Sequence, residues 1–285
     1  MRVSLRKVGL TGARGVLGQR LYETLRRDAS LEVDCYDGDI LDQTAIEEWA
    51  TIFQPETVFN LAAVVPIAVV ERNRSRSREV NAEGPSVLLK GILNANDYRS
   101  IRFVQVSTCH IYGSNSGPIS ETSPASPQNF YGQTKLEGEI GLQYVAEATQ
   151  GVDLVIARVF GVYSKNQHSS FLYPSLLRKI RPELSRQKID LPGANNVRDF
   201  LHASQVAELL AELGRSKESG VVNIGSGQGA TVKMFAESKF GVQLELYSGN
   251  IDRVPTSLIA DVTRLKGAIG ESRFGTIVAQ EASLE

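Results

Sequence analysis

Thr11-Gly12-Ala13-Arg14-Gly15-Val16-Leu17-Gly18 decides the fold. An apolar run, Lys7 to Leu10, precedes it and reads as a short strand. Behind it Val16, Leu17, Leu21 and Leu25 recur at helical spacing within 15–27. A glycine triplet between a strand and a helix has a physical purpose. Gly12 permits a tight turn, Gly15 lets the backbone come close to a pyrophosphate, and Gly18 lets the helix pack against the strand. The helix then presents free N–H groups and the positive end of its dipole to the phosphates. Gly12, Arg14, Gly15, Val16, Leu17 and Gly18 are therefore the expected dinucleotide contacts.

Outward from this loop, β-rich runs alternate with helical patterns. Strands are expected over 31–36, 57–61, 101–107 and 152–159, and helices over 44–53, 76–94 and 131–148, with Gly84-Pro85 resetting the third. This alternation predicts βαβ units: an α/β fold of Rossmann type, with a doubly wound parallel sheet. After Gly161 the rhythm breaks at Pro174, Pro182 and Pro192. Residues 1–160 are expected to form the dinucleotide-binding core. Residues 161–285 are expected to form mainly a smaller, mixed substrate lobe interleaved with it.

An acidic residue about 20 positions beyond the loop should hold a ribose hydroxyl. Asp34 and Asp37 both qualify and favour NAD. Arg14 argues the other way, since a guanidinium beside the loop can pair with a 2′-phosphate. It tips the expectation from NAD toward NADP. As a plain loop charge, Arg14 would carry no such meaning.

Tyr131-Gly-Gln-Thr-Lys135 places a phenol and an ammonium on one helix face. A nearby lysine favours the phenolate, so such a tyrosine can exchange a proton with an alcohol. Thr108, just past the strand 101–107, is the hydroxyl expected to share that substrate oxygen. YxxxK alone is common. The order glycine loop, strand ending in Ser-Thr, then YxxxK is much rarer.

With these motifs go GDILD at 38–42, NLAA at 60–63, Asn81, STCHIYG at 107–113, RVFGVYS at 158–164, RDFLH at 198–202, NIGSG at 223–227 and Arg253. Over about residues 5–270 the chain resembles the extended short-chain dehydrogenase/reductases, the NAD-dependent epimerase/dehydratase group. The resemblance implies that Asp39 and Ile40 contact the adenine and that Leu61, Ala62 and Ala63 line the cofactor. It implies that Asn81 and Phe160 complete the nicotinamide side. Thr108, Tyr131 and Lys135 would be the catalytic set, with Tyr131 and Lys135 also touching the cofactor. Arg198 and Arg253 would clamp the diphosphate of a nucleotide-linked sugar, with Asn223 near its nucleotide end. A homodimer through two core helices is implied as well.

Departures from the group narrow the reaction. Dehydratases of this group carry an acidic pair where this chain has Cys109 and His110, so dehydration is not expected. His110 is either an acid/base at the substrate or a residue that orients its loop. Gly161 replaces an asparagine that the 4-epimerases keep. Only Gly38 separates Asp37 from Asp39, a compression resembling reductases of 4-keto-6-deoxy sugar nucleotides. The expectation is hydride transfer from NAD(P)H to a 4-keto-6-deoxyhexose. The alternatives are an epimerase with tightly held NAD and a non-catalytic dinucleotide-binding regulator.

Composition agrees with an ordinary globular enzyme: 285 residues, 42% hydrophobic, 22% charged, net charge −1. Near-neutrality argues against nucleic acid as a partner, and the arginine run 71–78 has no interleaved aromatic residue. The longest apolar run, about ten residues, is half a membrane span of ~20. The N-terminus lacks a signal-peptide pattern, and Cys35 and Cys109 form no CxxC. A cytoplasmic location and no metal site are expected.

Overall fold

A computed structural model describes residues 6–95, 100–247 and 254–280. Six parallel strands form the main sheet in the order β2-β1-β3-β4-β5-β9. They are β1 (Arg6–Thr11), β2 (Leu31–Tyr36), β3 (Thr57–Asn60), β4 (Ile101–Thr108), β5 (Val152–Val159) and β9 (Gly220–Ile224). The winding reverses between β1 and β3, and the glycine loop leaves the sheet at this switch point, where open α/β sheets bind ligands. Among the described residues no strand lies beyond β2. The compressed Asp37–Asp39 segment accounts for this, since it turns directly into the next helix.

Alternation along buried strands sends neighbouring side chains to opposite faces. Val104 joins Leu10, Phe59, Leu21 and Leu25 under α1 (Val16–Arg26) and α8 (Ala203–Arg215). Phe103 joins Val58, Ile46, Leu88 and Leu142 under α2 (Gln43–Phe53), α5 (Gly84–Asn94) and α6 (Phe130–Glu147). Each such side chain contributes about 1.5–3 kcal/mol through burial.

The helix expected over 76–94 is divided. After α3 (Ile67–Arg72), α4 (Arg74–Arg78) runs into one π turn, Glu79–Glu83, and α5 then starts with Pro85 in its first turn. Gly84 is needed at the junction because a Cβ there would stand 2.5 Å from Ile40 Cδ1. The bulge turns Asn81 inward, where it is buried.

The remaining elements build the lobe. β6 (Gly161–Tyr163), β8 (Val197–His202), β10 (Gly229–Thr231) and β12 (Ser257–Leu258) form a mixed sheet, while β7 (Arg186–Ile189) pairs with β11 (Gln243–Leu246). With α7 (Leu172–Lys179) and α9 (Val232–Phe240) they enclose a third core containing Tyr163, Leu176, Phe235 and Leu244. α10 (Thr263–Ile269) and α11 (Glu271–Ala279) close the chain against the first core. No helix of the described residues is long and apolar enough to cross a membrane.

Candidate active site

The tips of β1, β3 and β4 are tied by buried side chains. Thr11 Oγ1 donates to Asn60 Oδ1 at 2.5 Å, and Asn60 Nδ2 donates to Gln105 Oε1 at 2.8 Å. Ala62 N in turn donates to Thr11 Oγ1 at 3.3 Å. This chain fixes the glycine loop against Leu61, Ala62 and Ala63. Gly12 sits at φ +70°, and a Cβ on it would fall 2.6 Å from the Leu61 carbonyl carbon. A Cβ on Gly18 would fall 2.1 Å from Gly12 O. A Cβ on Gly15 would meet only Gly12 O, at 3.3 Å, so a side chain there would obstruct the open face of the loop. Gly15 also leaves the first turn of α1 without a side-chain cap. These features fit a dinucleotide pyrophosphate.

The structure brings Asp37, not Asp34, to this loop. Asp37 accepts from Arg14 at 3.0 Å just beyond the end of β2. Asp34 lies three residues earlier, within β2, and its carboxylate accepts from Trp49 Nε1 at 2.8 Å on α2. Spacing alone could not separate them, because it does not say where the strand ends. Asp39 pairs with Arg76 and accepts from Leu41 N at 3.1 Å, and Ile40 is buried beside the π turn.

Asn81 faces the Leu61–Val64 segment from the other side. Its Oδ1 accepts from Val64 N at 2.8 Å, and its Nδ2 donates to Val64 O and Thr134 Oγ1, both at 3.2 Å. Those bonds hold the post-β3 segment against α6, so the side chain acts through the backbone it holds. Phe160 is buried at the end of β5 against Tyr112.

Thr108, Tyr131 and Lys135 are brought together. Asn129 caps α6, accepting from Gly132 N at 2.8 Å, which sets Tyr131 and Lys135 in the first turns. Gly132 allows the close approach, since a Cβ there would lie 2.2 Å from His110 O. Burial holds the Tyr131 phenol above its ordinary value, with a hydrogen bond to Thr108 pulling it part of the way back. Burial pushes the Lys135 ammonium down to about 8, and the charge of Glu139 pulls it up. Lys135 Nζ donates to Val106 O at 2.8 Å. One of the three Lys135 N–H donors is held by this β4 carbonyl, and the hydrogen bond from Thr108 draws the Tyr131 phenol back toward ionisation.

A buried pair missed in the sequence lies behind this set. Arg158 on β5 donates to both carboxylate oxygens of Glu139 at 2.6 to 3.1 Å and stacks on the Tyr112 ring. An arginine inside the apolar run of β5 was the available signal, because a buried charge needs a partner.

Of the expected substrate residues, His110 lies within reach of the Arg198 charge. Burial and the Arg198 charge both hold His110 below its ordinary value. Arg198 is anchored by Val197 O at 2.7 Å and by Thr256 O and Oγ1 at 2.9 and 2.8 Å. Cys109 is buried and its thiol is pushed up to about 12, so it is no nucleophile. Asn223, expected near the nucleotide end of the substrate, is engaged within the protein. The side chain is fully buried, with Oδ1 accepting from Tyr112 and Nδ2 donating to Ile119 O at 2.8 Å. It braces β9 against the loop after β4 and has no polar atom left for a substrate. Gly161 has a local cause as well: a Cβ there would lie 2.5 Å from Asp199 O, where β6 runs beside β8. Arg253 lies outside the described residues.

Comparisons with known proteins bear on the family and the fold. A family model described as the NAD dependent epimerase/dehydratase family matches residues 8–225. The chain is 27% identical to a Bacillus subtilis (strain 168) protein named as an uncharacterized UDP-glucose epimerase, across 91% of this chain and 90% of the relative. It is 32% identical to the dTDP-4-keto-6-deoxy-D-glucose reductase of Streptomyces niveus, over 46% of this chain and 45% of that one. In fold it is similar to the structure of RMD from Pseudomonas aeruginosa complexed with NADPH. There the TM-score is 0.80 at 22% identity, covering 96% of this chain and 97% of the other.

Proposed function

The chain belongs to the NAD-dependent epimerase/dehydratase family, and within it we propose that this protein is an NADPH-dependent reductase of a nucleotide-linked 4-keto-6-deoxyhexose. The compressed Asp37–Asp39 segment, which resembles that of 4-keto-6-deoxysugar reductases, carries the choice of reductase over epimerase, and the lack of a carboxylate at Cys109 or His110 argues against elimination of water.

The glycine loop and the Leu61–Ala63 segment would hold the nicotinamide dinucleotide, which when bound would supply the hydride. The chain's own groups manage the oxygen. Thr108 polarises the carbonyl by a hydrogen bond. Tyr131 gives its phenolic proton to the oxygen as the carbonyl pair becomes an alcohol O–H bond. A phenol kept neutral suits this direction, because it is the protonated form that must be present. Lys135 supplies a positive charge behind the forming phenolate. Arg198 offers charge-assisted hydrogen bonds to a diphosphate.

NADPH is preferred to NADH in this reading because Arg14 and Arg76 flank the adenosine side. Their pairs with Asp37 and Asp39 are surface pairs worth about 0–1 kcal/mol, so a 2′-phosphate can compete for the guanidinium. Ile140 and Tyr144 lie exposed one turn apart on α6, which supports a homodimer through that helix. Two unpaired thiols support a cytoplasmic site of action. The region from 161 onward would mainly serve the substrate.

Similarity over most of its length to a protein named as an epimerase favours a second reading, reversible oxidation on tightly held NAD. The cofactor tests it. A nicotinamide that exchanges freely and is consumed one per product supports reduction. Bound NAD that survives gel filtration, with no net consumption, supports epimerisation.

A further inference from the structure

The His110 imidazole lies edge-on to Tyr131, and its tautomer decides whether it could donate a hydrogen bond or act as a base. The choice follows from the Asn129 side chain, whose two ends are both engaged. Its Oδ1 accepts from the Gly132 backbone N–H at 2.8 Å as the cap of α6. Only the amide oxygen can accept that bond, so the amide orientation is fixed by the helix. The other end, Nδ2, lies 3.3 Å from His110 Nδ1. An amide nitrogen only donates, so Nδ1 must offer a lone pair, and the ring proton of a neutral imidazole must then sit on Nε2.

The rest of the loop holds the ring in this position. His110 N donates to Thr108 Oγ1 at 3.2 Å. The missing Cβ of Gly132 lets the His110 carbonyl rest on the first turn of α6. The imidazole lies edge-on to Tyr131, with ring centroids 6.0 Å apart. The facing charge is that of Arg198 on β8, which disfavours a second ring proton.

We infer that Asn129 is a positioning residue that locks His110 as a neutral Nε2–H donor, aimed at a sugar oxygen beside the reacting carbon and unable to act there as a base. The ligand identity rests on the reductase reading above; the tautomer does not. A nitrogen that carries its proton in the ring plane has no free pair with which to take a proton from carbon. The lock therefore allows hydrogen-bond donation to the substrate and blocks the carbon deprotonation that epimerisation next to a ketone needs.

The chain has three histidines, His110, His168 and His202, so ring nitrogens can be assigned by difference. Full-length protein labelled with 15N-histidine is compared with His110→Gln at neutral pH. The expected spectrum has His110 Nδ1 in the unprotonated range and Nε2 in the protonated range. A proton on Nδ1 overturns the inference whatever the enzyme's substrate proves to be.

Asn129→Asp is the second arm. Aspartate caps a helix as well as asparagine does, so α6 is retained. Its second carboxylate oxygen can only accept, so the proton is drawn to Nδ1 and Nε2 gains a lone pair. The 15N pattern should invert. With oxidised cofactor and a nucleotide-linked 4-keto-6-deoxyhexose in D2O, the variant should then exchange the hydrogen on the carbon next to the ketone. In that step the C–H bond breaks, its electron pair forms the enolate, and the proton goes to Nε2. Deuterium returns from the exchanged imidazole to the same carbon. Exchange at least tenfold faster than wild type supports the lock. Equal exchange in both proteins, or an unchanged 15N pattern in Asn129→Asp, contradicts it.

Discussion

Glu139 closes a buried bidentate pair with Arg158 one helical turn beyond Lys135, on the helix that carries the catalytic side chains. The pair joins α6 to β5 and is continued through Tyr112 to Asn223, so it braces the set from behind. It is also the negative charge that Lys135 feels. Lysine is cationic below its pKa, so reduction should hold at neutral pH and fall as pH rises through about 8. Glu139→Gln removes the charge that favours the ammonium, and the limb should move to lower pH. The same change leaves Arg158 buried and unpaired, at about 3–5 kcal/mol of stability. A pH profile of kcat together with urea unfolding checks both. An alkaline limb that does not move, in protein shown to be folded, would remove Glu139 from the account.

Tyr131→Phe should lower kcat by about 10²–10⁴, the usual range for loss of a proton-transfer group. Cofactor affinity, read by quenching or calorimetry, should change little. Loss of both in equal measure would mark the phenol as a binding group only.

Arg14→Ala should reduce kcat/KM with NADPH about tenfold, the loss of one charge-assisted bond to a phosphate. With NADH it should change less than twofold, since only the exposed pair with Asp37 is lost. Equal effects on the two cofactors would count against NADPH as the preferred one.

Asn223→Ala should act on stability. Removing its amide strands the Tyr112 hydroxyl and the Ile119 carbonyl, at roughly 1–3 kcal/mol. KM for a nucleotide-linked sugar should stay within twofold. A large KM effect without loss of stability would restore Asn223 to the substrate site.

The core was readable because its signals are local. The glycine loop, the alternating strands and the spacing of Tyr131 and Lys135 each lie within a few residues. Asp34 and Asp37 could not be told apart in the sequence because Trp49, which holds Asp34, lies 15 residues away on another element. The partners of Asn223 were hidden for a similar reason: Tyr112 and Ile119 are more than 100 positions away in sequence. The lobe was harder again. Its strands are two to six residues long, too short for periodicity to register, and its core joins aliphatic side chains to Phe235, on which Phe200 stacks and Tyr163 packs edge-on. Asn129 has no motif of its own. Its two roles emerge only when α6 and the His110 loop meet.

The central claim is net hydride transfer to a sugar ketone. It is tested most directly by mixing the purified protein with NADPH and a nucleotide-linked 4-keto-6-deoxyhexose and following both the reduced-nicotinamide absorbance and the product. The account predicts one NADPH consumed for each deoxysugar alcohol formed, with turnover about 10²–10⁴-fold lower in Tyr131→Phe. Steady NADPH, protein-bound NAD that does not exchange, and interconversion of epimeric nucleotide sugars would contradict it.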